Sequence, residues 1–391
     1  TVTTNTAGAT VQAMKKRCDF APNSTAASNF TGGHKLLMGK FDAIPTFDVS
    51  EELMNEYLET CKPAKKSRLQ AALASGLVKF DGASKHVFAK QETLLKEHQA
   101  QPRIVYQGTD MYNAVTGAVV YQLTRHMKRV FSLSNPKNTG NKVIFACGSS
   151  GEEIGDIIDG AIGEPIESDM KNNDASQNKA WRKYEAMFYK KLGAPDWFVR
   201  EFAKNDSVRV WTRYGVEASI EGQRWSGEGT TTTGNSYVSM ALILAALDAA
   251  EITESTNVHG GDDYLGVVND TKGNFQEKLE AVVEAAGMKA EVVPQKTRHH
   301  ATFYRKRYVP SPIGRRPVPL FGRVLAKINV RANKNSEVND KDYMAGKYMS
   351  AAYEHRHVPV IKDILLATAN ELSSEPFFDG KEARSMAAVG G

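Results

Sequence analysis

Val258-His259-Gly260-Gly261-Asp262-Asp263-Tyr264-Leu265-Gly266-Val267-Val268 reads as two apolar strands joined by a tight turn that carries adjacent carboxylates. The glycines give the backbone freedom that a short loop needs, and the flanking pattern is that of a β-hairpin. Acids at such a tip are open to a metal ion. Gly-Asp is also ordinary turn chemistry, so the tripeptide gains meaning only from what precedes it.

Upstream, Ile166-Glu167-Ser168-Asp169-Met170-Lys171-Asn172-Asn173-Asp174 follows the turn signal Gly163-Glu164-Pro165. With Asp169 at the end of a strand, its carboxylate shares a face with the hairpin acids. Asp174 is expected to open the helix running through 180–187. Taken singly it reads better as an N-cap, worth about 1 kcal/mol, than as a ligand. A third stretch, Ser226-Gly227-Glu228-Gly229-Thr230-Thr231-Thr232-Thr233-Gly234-Asn235, runs into the apolar segment 236–247. Glycines, hydroxyls and an amide at the start of a helix suit contacts to sugar and phosphate. In isolation the same stretch is a polar loop with a good cap.

In this order and at this spacing, the three stretches resemble the palm motifs of the RNA-dependent RNA polymerases of positive-strand RNA viruses, in the manner of the noda-like and tombus-like enzymes. The resemblance runs over roughly residues 85–310. It implies an α+β right-hand polymerase, with fingers over 1–160 and 181–215. The palm then covers 161–180 (first catalytic strand) and 216–304 (nucleotide-reading loop and Gly-Asp-Asp hairpin), and the thumb covers 305–391. The implied activity is replication of a viral RNA genome, with nucleotides transferred from NTPs to an RNA 3′-hydroxyl by two metal ions. Mg²⁺ is the implied metal, and ligand type does not separate it from Mn²⁺.

Residue by residue, the resemblance implies Asp169 and Asp262 as principal metal ligands and Asp263 as a secondary one. Asp174 and Asn235 are implied readers of the ribose 2′-hydroxyl, helped by Ser226, Gly227 and Thr230 of the loop. The family uses a lysine to protonate the leaving pyrophosphate; Lys296 fits that spacing better than Lys289. Arg103 and Lys96, with Lys85 and Lys90, are implied contacts to incoming triphosphates, and an arginine can hold phosphate oxygens bidentately. On the residues alone, 85–103 reads as well as an amphipathic helix with a solvated basic face. A reverse transcriptase is disfavoured by Gly261 before the acid pair and by Asp174. A non-catalytic RNA-binding scaffold is disfavoured because Asp169, Asp174, Asp262 and Asp263 are all present.

At 391 residues, with 41% hydrophobic and 24% charged residues, the chain is long enough to bury a large core. The net charge is only +5, but it is segregated along the sequence: no Asp or Glu lies between Glu291 and Glu337, while acids crowd residues 152–169. The basic stretch is expected to line a path for RNA, with Arg305 and Arg307 as contacts and Tyr304 and Tyr308 interleaved. Cys18, Cys61 and Cys147 are too few and too scattered for a disulfide framework or a zinc site, which points to a reducing compartment. His299-His300 reads as part of the basic strand. No apolar run reaches the ~18–20 residues of a membrane span. A start at Thr1 is expected of a processed polymerase core. The expected partners are RNA template and product and NTPs. Other viral replication proteins or a host membrane would be engaged through regions elsewhere, and DNA is not expected. The expected location is the host cytoplasm, in replication complexes at membranes.

Overall fold

A computed structural model describes residues 3, 5–18, 28–76, 82–90, 102–171, 173–177, 179–331 and 338–378. Its centre is the helix Thr231–Ala249, whose side chains from Thr233 to Leu247 are all buried. A helix apolar on every face has to be enclosed, and this one is packed between other helices and a sheet. The helix Ser28–Met38 crosses it at Gly33, where an added Cβ would stand 1.9 Å from the carbonyl oxygen of Ala241. Gly33→Ala is therefore expected to destabilise the fold by about 1–3 kcal/mol, measured as a drop in the urea or thermal midpoint. An unchanged midpoint would show that the two helices can part without cost.

Against this helix lies a five-stranded sheet, ordered Asn141–Phe145, Ser255–Gly260, Asp263–Val268, Glu164–Lys171, Lys289–Pro294. Only the first pair is parallel; the rest of the sheet is antiparallel. Ser255–Gly260, buried along its whole length, is covered by the central helix on one face. A second sheet, of four strands, is ordered Ile104–Gln107, Ser84–Ala89, Ser207–Trp211, Glu217–Glu221. A third, of three strands, joins Thr302–Phe303, Lys306–Ser311 and Gly314–Pro319. It is tied to the first by Glu167, whose carboxylate accepts from the Thr302 amide (2.6 Å) and hydroxyl (2.5 Å). The helices Phe321–Ile328, Asp340–Glu354 and Pro359–Leu372 follow and share a small apolar cluster around Ile328 and Leu365. Among the described residues no helix is long and apolar enough to cross a membrane.

Mixed α+β structure with mainly antiparallel sheets agrees with the expected fold class. Several elements differ from the sequence reading. Residues 1–160, expected as fingers, include the strand Asn141–Phe145, which joins the central sheet. The basic segment begins as strand Ser84–Ala89, not helix, because it alternates buried and half-buried residues with period two. Lys85 consequently points inward. It is 1% exposed and pairs with Glu228 at 3.1 Å, so its ammonium is not available to a triphosphate. Asp174 lies in a one-turn helix of its own, Asn173–Ser176, and not in the helix Lys179–Lys191 that it was expected to open.

Part of the charge segregation of the sequence is cancelled in space. Arg298 donates to the carbonyls of Asp159, Ala161 and Gly163, Arg315 pairs with Asp159 at 2.5 Å, and Arg316 lies 3.6 Å from Asp156. Much of the basic stretch thus anchors the third sheet to the acidic helix Gly151–Gly160. Arg305 and Arg307 stay exposed.

Candidate active site

The hairpin closes with a two-residue loop, Gly261-Asp262, between the paired Gly260 and Asp263. Gly261 has φ 68°, the left-handed conformation that a glycine supplies at the first loop position of such a turn. The Gly261 amide donates to the Ser236 hydroxyl (2.8 Å), which fixes the tip to the first turns of the central helix. Deeper in the hairpin, Ser239 bonds His259 Nδ1 at 2.9 Å, and the Tyr264 hydroxyl donates to Asn257 at 2.9 Å. Gly260 admits the neighbouring Tyr304, since a Cβ there would stand 1.9 Å from the Tyr304 hydroxyl. Tyr304 and Arg305 form a second tight turn with φ 51° and 61°, a strained backbone for such bulky residues.

Register brings the acids together. Glu164–Lys171 runs antiparallel to Asp263–Val268 with Ser168 opposite Tyr264, so the next position sets Asp169 across from Asp263. The electrostatics report the same proximity. The Asp262 carboxyl is pushed up mainly by burial and also by the charges of Asp174 and Asp169, while Arg103 opposes the shift. Asp263 is pushed up to about 6, first by burial and then by Asp262, with Arg305 opposing. Both side chains touch solvent at the floor of a crowded cleft, where surrounding protein and like charges disfavour ionisation. Among the described residues no group of three or more His, Cys, Asp or Glu is gathered closely enough to hold a metal by itself.

The raised pKa of Asp263 gives its stability contribution a definite sign. A carboxyl near 6 when folded and 3.8 otherwise binds its proton more tightly in the native state. Its contribution to stability is fully present below the lower value and is lost as pH rises through the upper one. In EDTA, the thermal midpoint of Asp263→Asn is expected to gain on that of the intact chain between about pH 4 and 6. A constant difference between the two proteins would contradict the shift.

Beside the acids opens a cleft of about 310 Å³ lined by Arg103, Tyr106, Asp174, Arg224, Ser226, Thr231, Asn235 and Asp262, among others. Asp174 does not cap a helix here; its carboxylate accepts from the Asn235 amide at 2.8 Å. Ser226 is held in place by its carbonyl, which accepts from the Tyr106 amide (2.8 Å). Gly227, at φ 95°, passes so close to Val105 that a Cβ would stand 2.7 Å from its Cγ1. The loop is anchored by Glu228, which is 6% exposed and accepts from Lys85 and from the Tyr112 hydroxyl, each at 3.1 Å.

Of the expected site residues, Asp169, Asp174, Asp262, Asp263, Arg103, Ser226, Gly227 and Asn235 come together here. Thr230 does not reach the cleft. It is buried at 4% under the loop, and its neighbour Thr231 takes the lining position. Lys296 stands apart. Pro294 already pairs with Ile166, three positions from Asp169 or ~10 Å along the strand, and Lys296 lies beyond it. The alternative Lys289 pairs with Lys171, at the Asp169 end of the same strand. Lys96 lies outside the described residues. Arg305 is close enough to act on Asp263, whereas Arg307 is exposed on the following strand. The sequence reading missed Gln177, Arg224 and Glu185, which form one buried network behind Asn235. No spacing rule marks them, because they meet only through the fold.

A mostly antiparallel sheet thus presents paired acids beside a polar cleft. Over residues 9–299 the chain matches the protein family described as RNA dependent RNA polymerase, and it belongs to that family. It is a viral, positive-strand type RNA-directed RNA polymerase, a nucleotidyltransferase whose substrates are an RNA template and NTPs. No curated protein matches it.

Proposed function

We propose that the chain copies a viral RNA genome by two-metal nucleotidyl transfer, with Asp169 and Asp262 as the principal ligands of a divalent cation and Asp263 assisting. The observation that carries this reading is the register that sets Asp169 across from Asp263, next to Asp262 in the hairpin loop; burial raises the carboxyls of Asp262 and Asp263, and the neighbouring acids add to it. A site that disfavours its own negative charge is suited to a cation. The donors are hard oxygens, as Mg²⁺ or Mn²⁺ requires, and Mg²⁺ is commonly held by one or two carboxylates completed by substrate phosphates. An open set of acids rather than a closed cage fits that mode. When bound, such ions bring the 3′-hydroxyl and α-phosphate together and stabilise the charge on the departing oxygen.

The remaining roles belong to the chain's own side chains. Asp174 accepts a hydrogen bond from the ribose 2′-hydroxyl, and Asn235 can donate to the same oxygen, a pairing that requires ribose. Ser226 and Thr231 line the cleft beside the sugar. Arg103, at its rim, holds phosphate oxygens and lowers the acidity cost at Asp262. Lys296, beyond the end of strand Lys289–Pro294, is given no role in this arrangement. The central sheet serves as palm, now including 141–145. The four-stranded sheet, which unites 84–107 with 207–221, serves as fingers, and the helices beyond 320 serve as thumb.

The test is incorporation on defined RNA templates. The intact chain is expected to add only the complementary ribonucleotide to a primed template, and to stop when EDTA is present. Incorporation that ignores the template base, or RNA binding with no synthesis at any Mg²⁺ or Mn²⁺ concentration, would remove the reading and favour a binding scaffold.

A further inference from the structure

We infer that Gln177 and Arg224, anchored by Glu185, are specificity-determining positioning residues that aim Asn235 at the sugar; the inference rests on the polymerase reading above. Asn235 has two chemically distinct faces, an oxygen that accepts and an NH₂ that donates, and its function depends on which one meets Asp174. Arg224 decides the matter. A guanidinium can only donate, and its Nε lies 3.1 Å from one terminal atom of Asn235, which must therefore be the oxygen. Gln177 donates to that same oxygen at 2.7 Å, while its own oxygen accepts from Arg224 Nε at 2.9 Å. The amide NH₂ of Asn235 is left to face Asp174 Oδ1, at 2.8 Å.

Arg224 is itself held on every side. Its two terminal nitrogens fork onto both oxygens of Glu185, at 2.8 and 2.7 Å, and both side chains are 2% exposed. Glu185 also accepts from Tyr189, whose hydroxyl is 3.0 Å from that of Thr233. Gly234 makes the room, since a Cβ there would stand 2.2 Å from an Arg224 nitrogen. The Arg224 backbone amide donates to the Asp174 carbonyl at 2.9 Å. One residue therefore positions both partners of the sugar-facing pair, Asp174 through its main chain and Asn235 through its side chain.

Without Gln177 or the Arg224 Nε, the Asn235 oxygen loses a donor that anchors it, and the amide is no longer held in one place beside Asp174. The bond to a 2′-hydroxyl is then lost, whereas a 2′-deoxy sugar has no such bond to lose. The experiment compares kcat/KM for a ribonucleoside triphosphate and its 2′-deoxy counterpart on one primed RNA template. The proteins are the intact chain, Gln177→Leu and Arg224→Lys, the last of which keeps a cation beside Glu185 but removes the Nε donor. Each variant is expected to lose about tenfold for the ribonucleotide, the order of one hydrogen bond, with the deoxynucleotide unchanged.

An unchanged ratio in folded variants overturns the inference while leaving the polymerase reading in place. So does an equal loss for both triphosphates, which marks a purely structural role. If Arg224→Lys does not fold, Gln177→Leu alone decides. Absence of any template-directed incorporation by the intact chain overturns the polymerase reading, and this inference with it.

Discussion

Asp262→Ala and Asp169→Ala are expected to abolish RNA synthesis, by on the order of a thousandfold or more, and to leave the protein at least as stable as before at neutral pH. The two halves of this result come from one cause. The acids of the hairpin and of strand Glu164–Lys171 face each other across the sheet; Asp169 adds to the rise that burial causes at Asp262 and Asp263, and Asp262 adds to that at Asp263. Removing one relieves repulsion in the metal-free protein and so costs the fold nothing. On the proposed two-metal reading, it also removes an oxygen ligand of the divalent ion. Activity on a primed RNA template and a thermal midpoint in EDTA, measured on the same preparations, separate the two effects. Loss of activity together with a lower midpoint would mean that the acids serve the structure. Full activity would remove them from the chemistry.

The largest effect on stability is expected at the buried pair behind Asn235. Glu185→Ala strands the Arg224 guanidinium in the interior and takes the acceptor from the Tyr189 hydroxyl. Breaking such a pair from one side costs about 3–5 kcal/mol. Arg224→Met is expected to be comparably harmful, because it leaves the Glu185 carboxylate alone. The double variant Glu185→Leu/Arg224→Met should lose clearly less than the sum, since well-packed apolar side chains often replace an ion pair at little net cost. Urea denaturation of the four proteins gives the coupling directly. Additive losses would show that the pair contributes nothing as a pair.

What the sequence disclosed was whatever is written locally. The hairpin at Gly261, the strand carrying Asp169 and the polar loop before a fully apolar helix are each coded by contiguous residues, and their order was enough to point to the family. Helix starts are coded locally too: Ser50 and Thr109 cap the helices Glu51–Thr60 and Asp110–Val130. The failures are all non-local. Lys85 looked solvated because its partner Glu228 is far away in the chain, in the nucleotide loop. Two cations of the basic stretch after Glu291, Arg315 and Arg316, are paired with Asp159 and Asp156, which precede them by a long interval and so give no local sign of the pairing. Thr230 was named in place of Thr231, since a run of four threonines has no internal mark of which one faces out. The choice of Lys296 relied on spacing through a loop, and register in the sheet sets it away from the acids.

The account stands on Asp169 and Asp262 as ligands of a divalent ion that takes part in the transfer itself. The most direct test is the rate of adding a single complementary ribonucleotide to a primed RNA template as Mg²⁺ is varied, for the intact chain and for Asp169→Asn. The account predicts no reaction of the intact chain in EDTA and a rate that rises to saturation with Mg²⁺. For the variant it predicts a rate at least a thousandfold lower at the same Mg²⁺ concentration, by the loss of several kcal/mol of charge stabilisation. Extension in EDTA, or an Asp169→Asn curve that overlays that of the intact chain, would contradict it.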